Sequence, residues 1–298
     1  MQTARKFGVA MFMPGAPQPF ARPDSHQMSE AKEDTMAKVA IVTGSATGMG
    51  ATCAIDLATR GWNVTINYSR SKKEADETYG KVKAQGVEAI VVQADVGQDA
   101  DCRKLAAETL SEWGRIDGLI NNAATTKFQK AGDLEDVTPE DFDRIFRVNT
   151  TGAFMMSRAV FPAMRKQWEE SKERGAIVNV SSSATLTGKG SSLPYVLSKG
   201  ALNTLTPMLA RWLSPAVRVN TISPGLIQTR WMPNVVGEGE YNKMKQDEEQ
   251  RTLLRQAGTP EQMSEAALFF LMEASNITGQ ITVVDAGSHL GLLPRPWS

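Results

Sequence analysis

The sequence lacks the features that mark several large classes of protein. Its 298 residues include 33 basic and 33 acidic side chains, and this balance gives no reason to expect nucleic acid or an anionic membrane as a partner. Its two cysteines, Cys53 and Cys102, form no metal-binding or redox pattern, so we interpret them as reduced thiols of a cytoplasmic protein. No run of about 18 apolar residues occurs, which predicts that no helix spans a membrane.

The composition is that of an ordinary globular protein, with 41% hydrophobic and 22% charged residues and ample length for a large core. Residues 1–37 differ, because they hold four prolines and then a polar stretch at residues 25–35. We predict a disordered extension here. A short apolar patch at residues 7–13 makes a targeting segment the alternative, although Pro14 and Gly15 cut that patch short.

Short apolar stretches alternate with helical patterns through the rest of the chain. The predicted strands lie at residues 38–43, 63–68, 88–93, 116–120, 176–180, 217–222 and 280–284. The predicted helices lie at residues 51–60, 72–85, 101–113 and 193–213, with two more beginning near Thr138 and Thr259. Short connections between alternating elements indicate parallel strands joined by crossover helices. We therefore predict one α/β domain at residues 38–288, a doubly wound (Rossmann) sheet of seven parallel strands with helices on both faces. Residues 226–257 are the exception, a long charged connection that we interpret as a lid.

Two side chains in the predicted helix at residues 193–213 suggest acid–base chemistry. Tyr195 and Lys199 are four residues apart, so they lie on the same helix face. A tyrosine has an ordinary pKa of about 10, and a neighbouring cation lowers the pKa of a phenol. The pair is a candidate general acid/base, although the same spacing is common by chance.

A glycine-containing turn, with Gly44, Gly48 and Gly50, lies between the first predicted strand and the first predicted helix. Glycine permits a tight turn and a close approach of backbone to ligand, and the helix N-terminus behind it favours a pyrophosphate. The turn predicts nucleotide binding. The alternative is a turn that needs glycine for its geometry alone.

With these motifs the chain resembles the short-chain dehydrogenase/reductase family over residues 36–288. The turn from Thr43 to Gly50 matches the T-G-x-x-x-G-x-G pattern of that family. The other matching residues are Asn121-Asn122-Ala123 (followed by Ala124 where the family has glycine), Asn149, Ser182 (thirteen residues before Tyr195), and Pro224-Gly225 with Thr229.

The resemblance implies hydride transfer between NAD(P)H and a carbonyl, or the reverse. It implies that Tyr195 protonates the carbonyl oxygen, and that Ser182 hydrogen-bonds the same oxygen. Lys199 would lower the pKa of Tyr195 and hold the nicotinamide ribose, and Asn149 would bind a water that resupplies the proton. A serine next to Ser182 is an alternative for the second role, and Asn149 could instead link the helix to a loop.

The resemblance also implies the cofactor contacts, which are Thr43, Gly44, Thr47, Gly48, Met49, Gly50, Tyr68, Ser69, Arg70, Asp95, Val96, Asn122, Ala123, Tyr195, Lys199, Pro224, Gly225, Ile227 and Thr229. Asp95 would contact the adenine, with a turn-forming role as the alternative. An acidic residue at the end of the second strand binds the ribose of NAD. Here Tyr68 stands at that place, and the Ser69 and Arg70 that follow could hold a 2′-phosphate. The sequence therefore favours NADP(H), with NAD(H) possible.

Within the family the chain is most similar to 3-oxoacyl-[acyl-carrier-protein] reductases and glucose-dehydrogenase-like enzymes. Acidic residues of the predicted lid argue against an acidic carrier protein and for a small ketone, sugar or alcohol; they are Glu238, Glu240, Asp247, Glu248 and Glu249. Trp231, Met232, Met244 and Leu253 of the lid could offer an apolar wall. The alternatives are a non-catalytic dinucleotide-binding regulator and an epimerase or dehydratase. The resemblance further implies a homotetramer whose interfaces are the helices at residues 138–165 and 195–213. The tail at residues 289–298 could reach a neighbouring subunit, and the alternative is a frayed end.

Overall fold

A single sheet of parallel strands organises the structure. In the computed structural model, which describes residues 36–130, 132–229, 233 and 236–291, seven strands follow the order β3-β2-β1-β4-β5-β6-β7. Every pairing is parallel. The strands are β1 (Val39–Val42), β2 (Asn63–Tyr68), β3 (Ala89–Gln93), β4 (Gly118–Asn121), β5 (Gly175–Val180), β6 (Val217–Pro224) and β7 (Ile281–Val284). This is the predicted doubly wound sheet, and its strand order reverses direction between β1 and β4.

Helices connect the strands and cover both faces of the sheet. They are α1 (Gly48–Thr59), α2 (Lys72–Lys83), α3 (Asp99–Trp113), α4 (Pro139–Phe146), α5 (Gly152–Ser171), α6 (Ala184–Thr187), α7 (Leu193–Leu213), α8 (Glu238–Arg251) and α9 (Pro260–Leu268). A π-helical turn, Arg147–Thr151, joins α4 to α5 in one continuous run. Capping boxes at Thr138 and Thr259 fix the starts of α4 and α9, near which the sequence predicts that two helices begin.

The alternation of side chains along each strand divides the core into two layers. In β1, Ala40 and Val42 pack with residues of α1 and α9 on one face, whereas Ile41 packs with residues of α3 and α5 on the other. Because both faces are covered, every residue of β1, β4 and β5 is buried, on whichever face it lies. None of the described helices is long and apolar enough to cross a membrane.

The segment at residues 226–257 differs from the prediction of a long connection without regular structure. It contains α8, a helix of 14 residues. Its many Glu, Gln and Lys residues favour helix, and Glu238 and Glu240 lie in its first turn, where the helix dipole favours negative charge. Within α8 only Tyr241 is buried, so this helix lacks the regular spacing of apolar residues by which most helices are recognised in a sequence. Trp231 and Met232 lie outside the described residues, as do nearly all of the predicted N-terminal extension and of the C-terminal tail.

Candidate active site

A cavity of about 1860 Å³ opens at the carboxyl edge of the sheet. Each strand from β1 to β6 ends at this edge, and the residues that follow each of them line the cavity. In open α/β sheets, ligands bind outside the carboxyl ends of the strands, where the strand order reverses. Here that place lies between β1 and β4, and the glycine turn stands beside it.

The glycine turn is held in shape by the ends of neighbouring strands. Gly44 and Gly48 have φ angles of 63° and 58°, in the left-handed region that favours glycine. The Gly44 N–H donates to Asn67 Oδ1 at 3.0 Å, and Asn122 Nδ2 donates to the carbonyls of Thr43 and Gly44 at 2.9 and 3.2 Å. These bonds place the N-terminus of α1 at the cavity, where it can bind an anion.

Most of the predicted cofactor contacts line this cavity. They are Gly44, Thr47, Gly48, Met49, Ser69, Arg70, Asp95, Val96, Asn122, Ala123, Tyr195, Lys199, Pro224, Gly225, Ile227 and Thr229. The segment after β6 also approaches the turn, because a Cβ built on Gly48 would lie 3.4 Å from Thr229 Cγ2. Residues that are distant in the sequence therefore form one continuous surface.

Three of the predicted contacts lie outside the cavity wall. The Thr43 hydroxyl is buried and accepts the N–H groups of Asn122 and Ala123, each at 3.0 Å, so it joins β1 to β4. Gly50 packs against the turn from behind. Tyr68 is only 8% exposed and lies in the apolar core, because alternation along β2 puts it on the same face of the sheet as Val64 and Ile66. These residues shape the cavity without lining it.

Tyr195 and Ser182 come together at the cavity wall. Ser192 caps α7 by accepting the N–H of Tyr195, which fixes the first turn of the helix. The side chains of Tyr195 and Ser182 are hydrogen-bonded. Of the neighbouring serines, Ser181 donates its hydroxyl to the Lys199 carbonyl at 3.1 Å, and the Ser183 N–H donates to Pro224. The side-chain bond to Tyr195 thus favours Ser182 over its neighbours.

The pKa of Tyr195 moves in the direction opposite to the one the sequence predicts. Burial raises the pKa of the phenol, and the hydrogen bond from Ser182 opposes that rise. The Lys199 ammonium lies 5.8 Å from the Tyr195 ring centroid and donates to the Val180 carbonyl at 2.7 Å. Burial lowers the pKa of Lys199 to about 8. Burial therefore dominates the pKa of Tyr195 in this structure, and the lowering by Lys199 that the resemblance implies stays a prediction.

Asn149 lies in the π-helical turn and links three segments. Its Nδ2 donates to the Thr125 carbonyl at 2.9 Å and to Ser198 Oγ at 3.0 Å, and its Oδ1 accepts the Thr125 N–H at 2.8 Å. Asn149 is buried and does not line the cavity. The structure shows the link between helix and loop, whereas the water-binding role stays a prediction. Insertions of this π type occur often at functional sites.

Sequence reasoning missed the outer wall of the cavity. The loop after β4 carries Phe128 and Gln129, and the loop before α7 carries Ser191. Thr126 Oγ1 and Ser191 Oγ are 2.6 Å apart, and the Gln129 N–H donates to the Ser191 carbonyl at 2.7 Å. More than 60 residues separate these partners in the chain, so no local pattern signals their pairing. The contribution of Asn67, which accepts the Gly44 N–H, could have been suspected from the sequence, because an asparagine is unusual in a strand that is buried on both faces.

The chain is similar to proteins of known family over most of its length. A family model described as Enoyl-(Acyl carrier protein) reductase matches residues 44–289. Ketoacyl reductase 2 of the granaticin polyketide synthase of Streptomyces violaceoruber is 38% identical over 254 residues, which cover 85% of this chain and 97% of that protein. Versicolorin reductase 1 of Aspergillus parasiticus is 36% identical over 264 residues, covering 84% of this chain and 96% of that protein.

The crystal structure of a short-chain dehydrogenase/reductase from Burkholderia xenovorans superposes with a TM-score of 0.79 at 35% identity. The match covers 86% of this chain and 99% of that one. Sequence, fold and site geometry agree: the chain belongs to the short-chain dehydrogenase/reductase family and is an oxidoreductase.

Proposed function

We propose that the protein transfers hydride between NADP(H) and a carbonyl or secondary alcohol of a small substrate, with Tyr195 as the general acid/base. The observation that carries this proposal is the Tyr195–Ser182 hydrogen bond at the wall of the cavity that also holds the glycine turn. A dinucleotide and a small substrate can meet there. The dinucleotide supplies the hydride, and the protein supplies position and electrostatics.

The residues present fit a dinucleotide. The left-handed Gly44 and Gly48 let the backbone approach a pyrophosphate at the start of α1. Asp95 and Val96 line the cavity after β3, where an adenine would contact them. Pro224 and the residues that follow it line the opposite end, where they would contact the nicotinamide.

The raised pKa of Tyr195 suits a proton donor. At neutral pH the phenol keeps its proton until negative charge develops on a carbonyl oxygen beside it. The Ser182 hydroxyl would then donate to the same oxygen and stabilise its charge. Lys199 has two N–H groups besides the one bound to Val180, and these would hold the ribose.

The test of this mechanism is a screen of ketones, sugars and alcohols read by NADPH and NADH absorbance. Tyr195→Phe removes the transferred proton and should lower kcat by about 10²-fold or more. Tyr79→Phe is the control, because Tyr79 is an exposed tyrosine of α2 that does not line the cavity. Wild-type turnover by Tyr195→Phe would overturn the mechanism. Cofactor binding without turnover of any substrate would support a non-catalytic regulator instead.

The preference for NADP(H) rests on the residues after β2. Ser69, Arg70 and Ser71 line the cavity, and a guanidinium suits a 2′-phosphate. Replacing Arg70 with alanine should raise the KM for NADPH about tenfold and leave the KM for NADH nearly unchanged. Lys73→Ala is the matched control, since Lys73 is exposed and does not line the cavity. An equal effect on both cofactors would contradict the assignment. Tyr68→Asp is not a useful test, because it would bury a carboxylate in the core.

A 3-oxoacyl group on an acyl carrier protein is the second candidate substrate. The name of the Streptomyces relative supports a ketoacyl group, and the description of the matching family model supports an acyl carrier protein. Against it, α8 presents Asp247 and Glu248 at the cavity, where an acidic carrier would dock. Comparing kcat/KM for a free ketone with that for the same ketone on a carrier separates the two. If the carrier-bound substrate is preferred, the small-substrate proposal is wrong.

We further propose a cytoplasmic homotetramer. Leu197, Met208 and Trp212 of α7 are 53%, 43% and 64% exposed, which leaves an apolar strip for a second copy. Light scattering on the purified chain tests the assembly, and a monomer at micromolar concentration would contradict it.

A further inference from the structure

The opposite edge of the sheet carries a second cavity, of about 220 Å³. It lies where four neighbouring strands begin. Lys38 precedes β1, Asp117 precedes β4, Arg174 precedes β5, and Arg218 is the second residue of β6. At about 3.3 Å per residue, the length of β5 places this cavity roughly 20 Å from the serines that follow that strand. The second cavity is thus separate from the proposed active site.

Four cationic side chains and one carboxylate line this second cavity; the cations are Lys38, Lys172, Arg174 and Arg218. The carboxylate, Asp117, already has hydrogen-bond donors of its own. It accepts the Val39 N–H at 2.8 Å, two bonds from Arg115 at 2.8 and 2.6 Å, and one from Gln167 at 3.3 Å. Within the part of the chain that the structure describes, none of the four cations forms an ion pair. The cavity therefore holds an excess of positive charge.

Neutral groups hold the two arginines in place. Arg218 donates to the carbonyls of Phe270 and Leu271 at 2.8 and 2.9 Å. Arg174 Nε donates to the Pro215 carbonyl at 3.0 Å, and its guanidinium lies 4.8 Å from the Trp168 ring centroid. Burial and then the charge of Arg174 lower the pKa of Arg218, which shows that the two cations repel each other.

We propose that this second cavity is a binding site for a phosphate ion. A multivalent oxyanion would relieve the repulsion between the cations, and guanidinium groups match the geometry of phosphate. A water molecule takes about 30 Å³ in the liquid, so the cavity has room for a phosphate and several waters. The proposal does not depend on the proposed redox function.

Calorimetric titration of the full chain with inorganic phosphate tests the site, in excess NADP⁺ and at constant ionic strength. We expect one phosphate per chain. Lys172→Gln combined with Arg174→Gln should weaken its binding at least tenfold, since this double variant removes two of the four cations. Both side chains are exposed, so the fold should tolerate the change.

The matched control is Arg165→Gln combined with Lys166→Gln on the outer surface of α5, which removes the same charge away from the cavity. Arg70→Ala removes a cation of the larger cavity. Both controls should bind phosphate as the wild type does. The proposal is overturned if the wild type binds no phosphate, if the double variant retains its affinity, or if Arg70→Ala abolishes binding.

Discussion

Replacing Gly50 with alanine sets two effects against each other. Gly50 is the third residue of α1, and alanine in a helix is favoured over glycine by about 1 kcal/mol. Yet a Cβ built on Gly50 lies 2.5 Å from Asn122 Nδ2 and 2.6 Å from the Gly44 carbonyl oxygen. Helix propensity alone predicts a gain in stability, whereas the contacts predict a loss.

The contacts should dominate because they involve the backbone. Both distances are roughly 1 Å shorter than an ordinary contact, so the turn and Asn122 must move apart. Because both distances are far below an ordinary contact, the cost should lie in the upper part of the usual range for overpacking, at about 2–3 kcal/mol, which leaves a net loss of about 1–2 kcal/mol after the gain in helix propensity. The same movement displaces the Gly44 carbonyl that Asn122 holds, and it should weaken binding of the proposed dinucleotide at least tenfold.

Thermal unfolding and fluorescence titration with NADPH measure both effects. We expect Gly50→Ala to lower Tm by about 3 °C or more. Gly80→Ala in α2 is the matched control, since no atom lies within 4 Å of a Cβ built there, and it should raise Tm without changing the affinity. A Gly50→Ala variant with wild-type Tm and NADPH affinity would refute the reasoning.

Three further predictions concern buried polar and ionisable groups. Burial lowers the pKa of Lys199 to about 8, so its positive charge is lost as the pH rises through that value. In a pH–rate profile, kcat/KM for carbonyl reduction should therefore fall above about pH 8. A flat profile to pH 9.5 would contradict this prediction. Asp117→Asn leaves the half-buried Arg115 without its main charge partner and should cost about 3 kcal/mol in urea unfolding. Asp76→Asn, at the exposed pair with Lys72, should cost much less, and equal losses would contradict the prediction. Burial raises the pKa of Cys53 and of Cys102 to about 12, so iodoacetamide should label neither thiol until the chain unfolds; rapid labelling of the native protein would show that they are accessible.

Local sequence signals predicted the parts of the fold that depend on local chemistry. The predicted helix at residues 193–213 matches α7, and α4 and α9 begin directly after Thr138 and Thr259, as predicted. The alternation of strands and helices along the chain could also be predicted from the sequence, because each crossover in a parallel sheet needs a helix between two apolar strands. The spacing of Ser182 before Tyr195 identified two side chains that the fold brings into contact.

Other features could not be predicted because they depend on contacts between distant segments. A strand buried on both faces does not show which way a side chain points, so the sequence does not reveal that the Tyr68 side chain lies in the core; its contact with the cofactor stays a prediction. Helical spacing put Lys199 on the same face as Tyr195 but did not show that its ammonium binds Val180. The helix α8 was missed because it has no apolar periodicity.

The hydrogen bonds of Asn149 suggest how the proposed active site keeps its geometry. Thr125 begins the loop that forms the outer wall, and Ser198 precedes Lys199 on α7; Asn149 binds both. Ser198 in turn donates to the Tyr195 carbonyl at 2.7 Å. The loop that begins at Thr125 and the helix that carries Tyr195 are therefore joined through one buried side chain. The helix α8, which also lines the cavity, has no such link to Asn149 among the hydrogen bonds of the described residues. We therefore expect substitutions in α8 to change the selectivity of the proposed enzyme without disturbing the geometry around Tyr195.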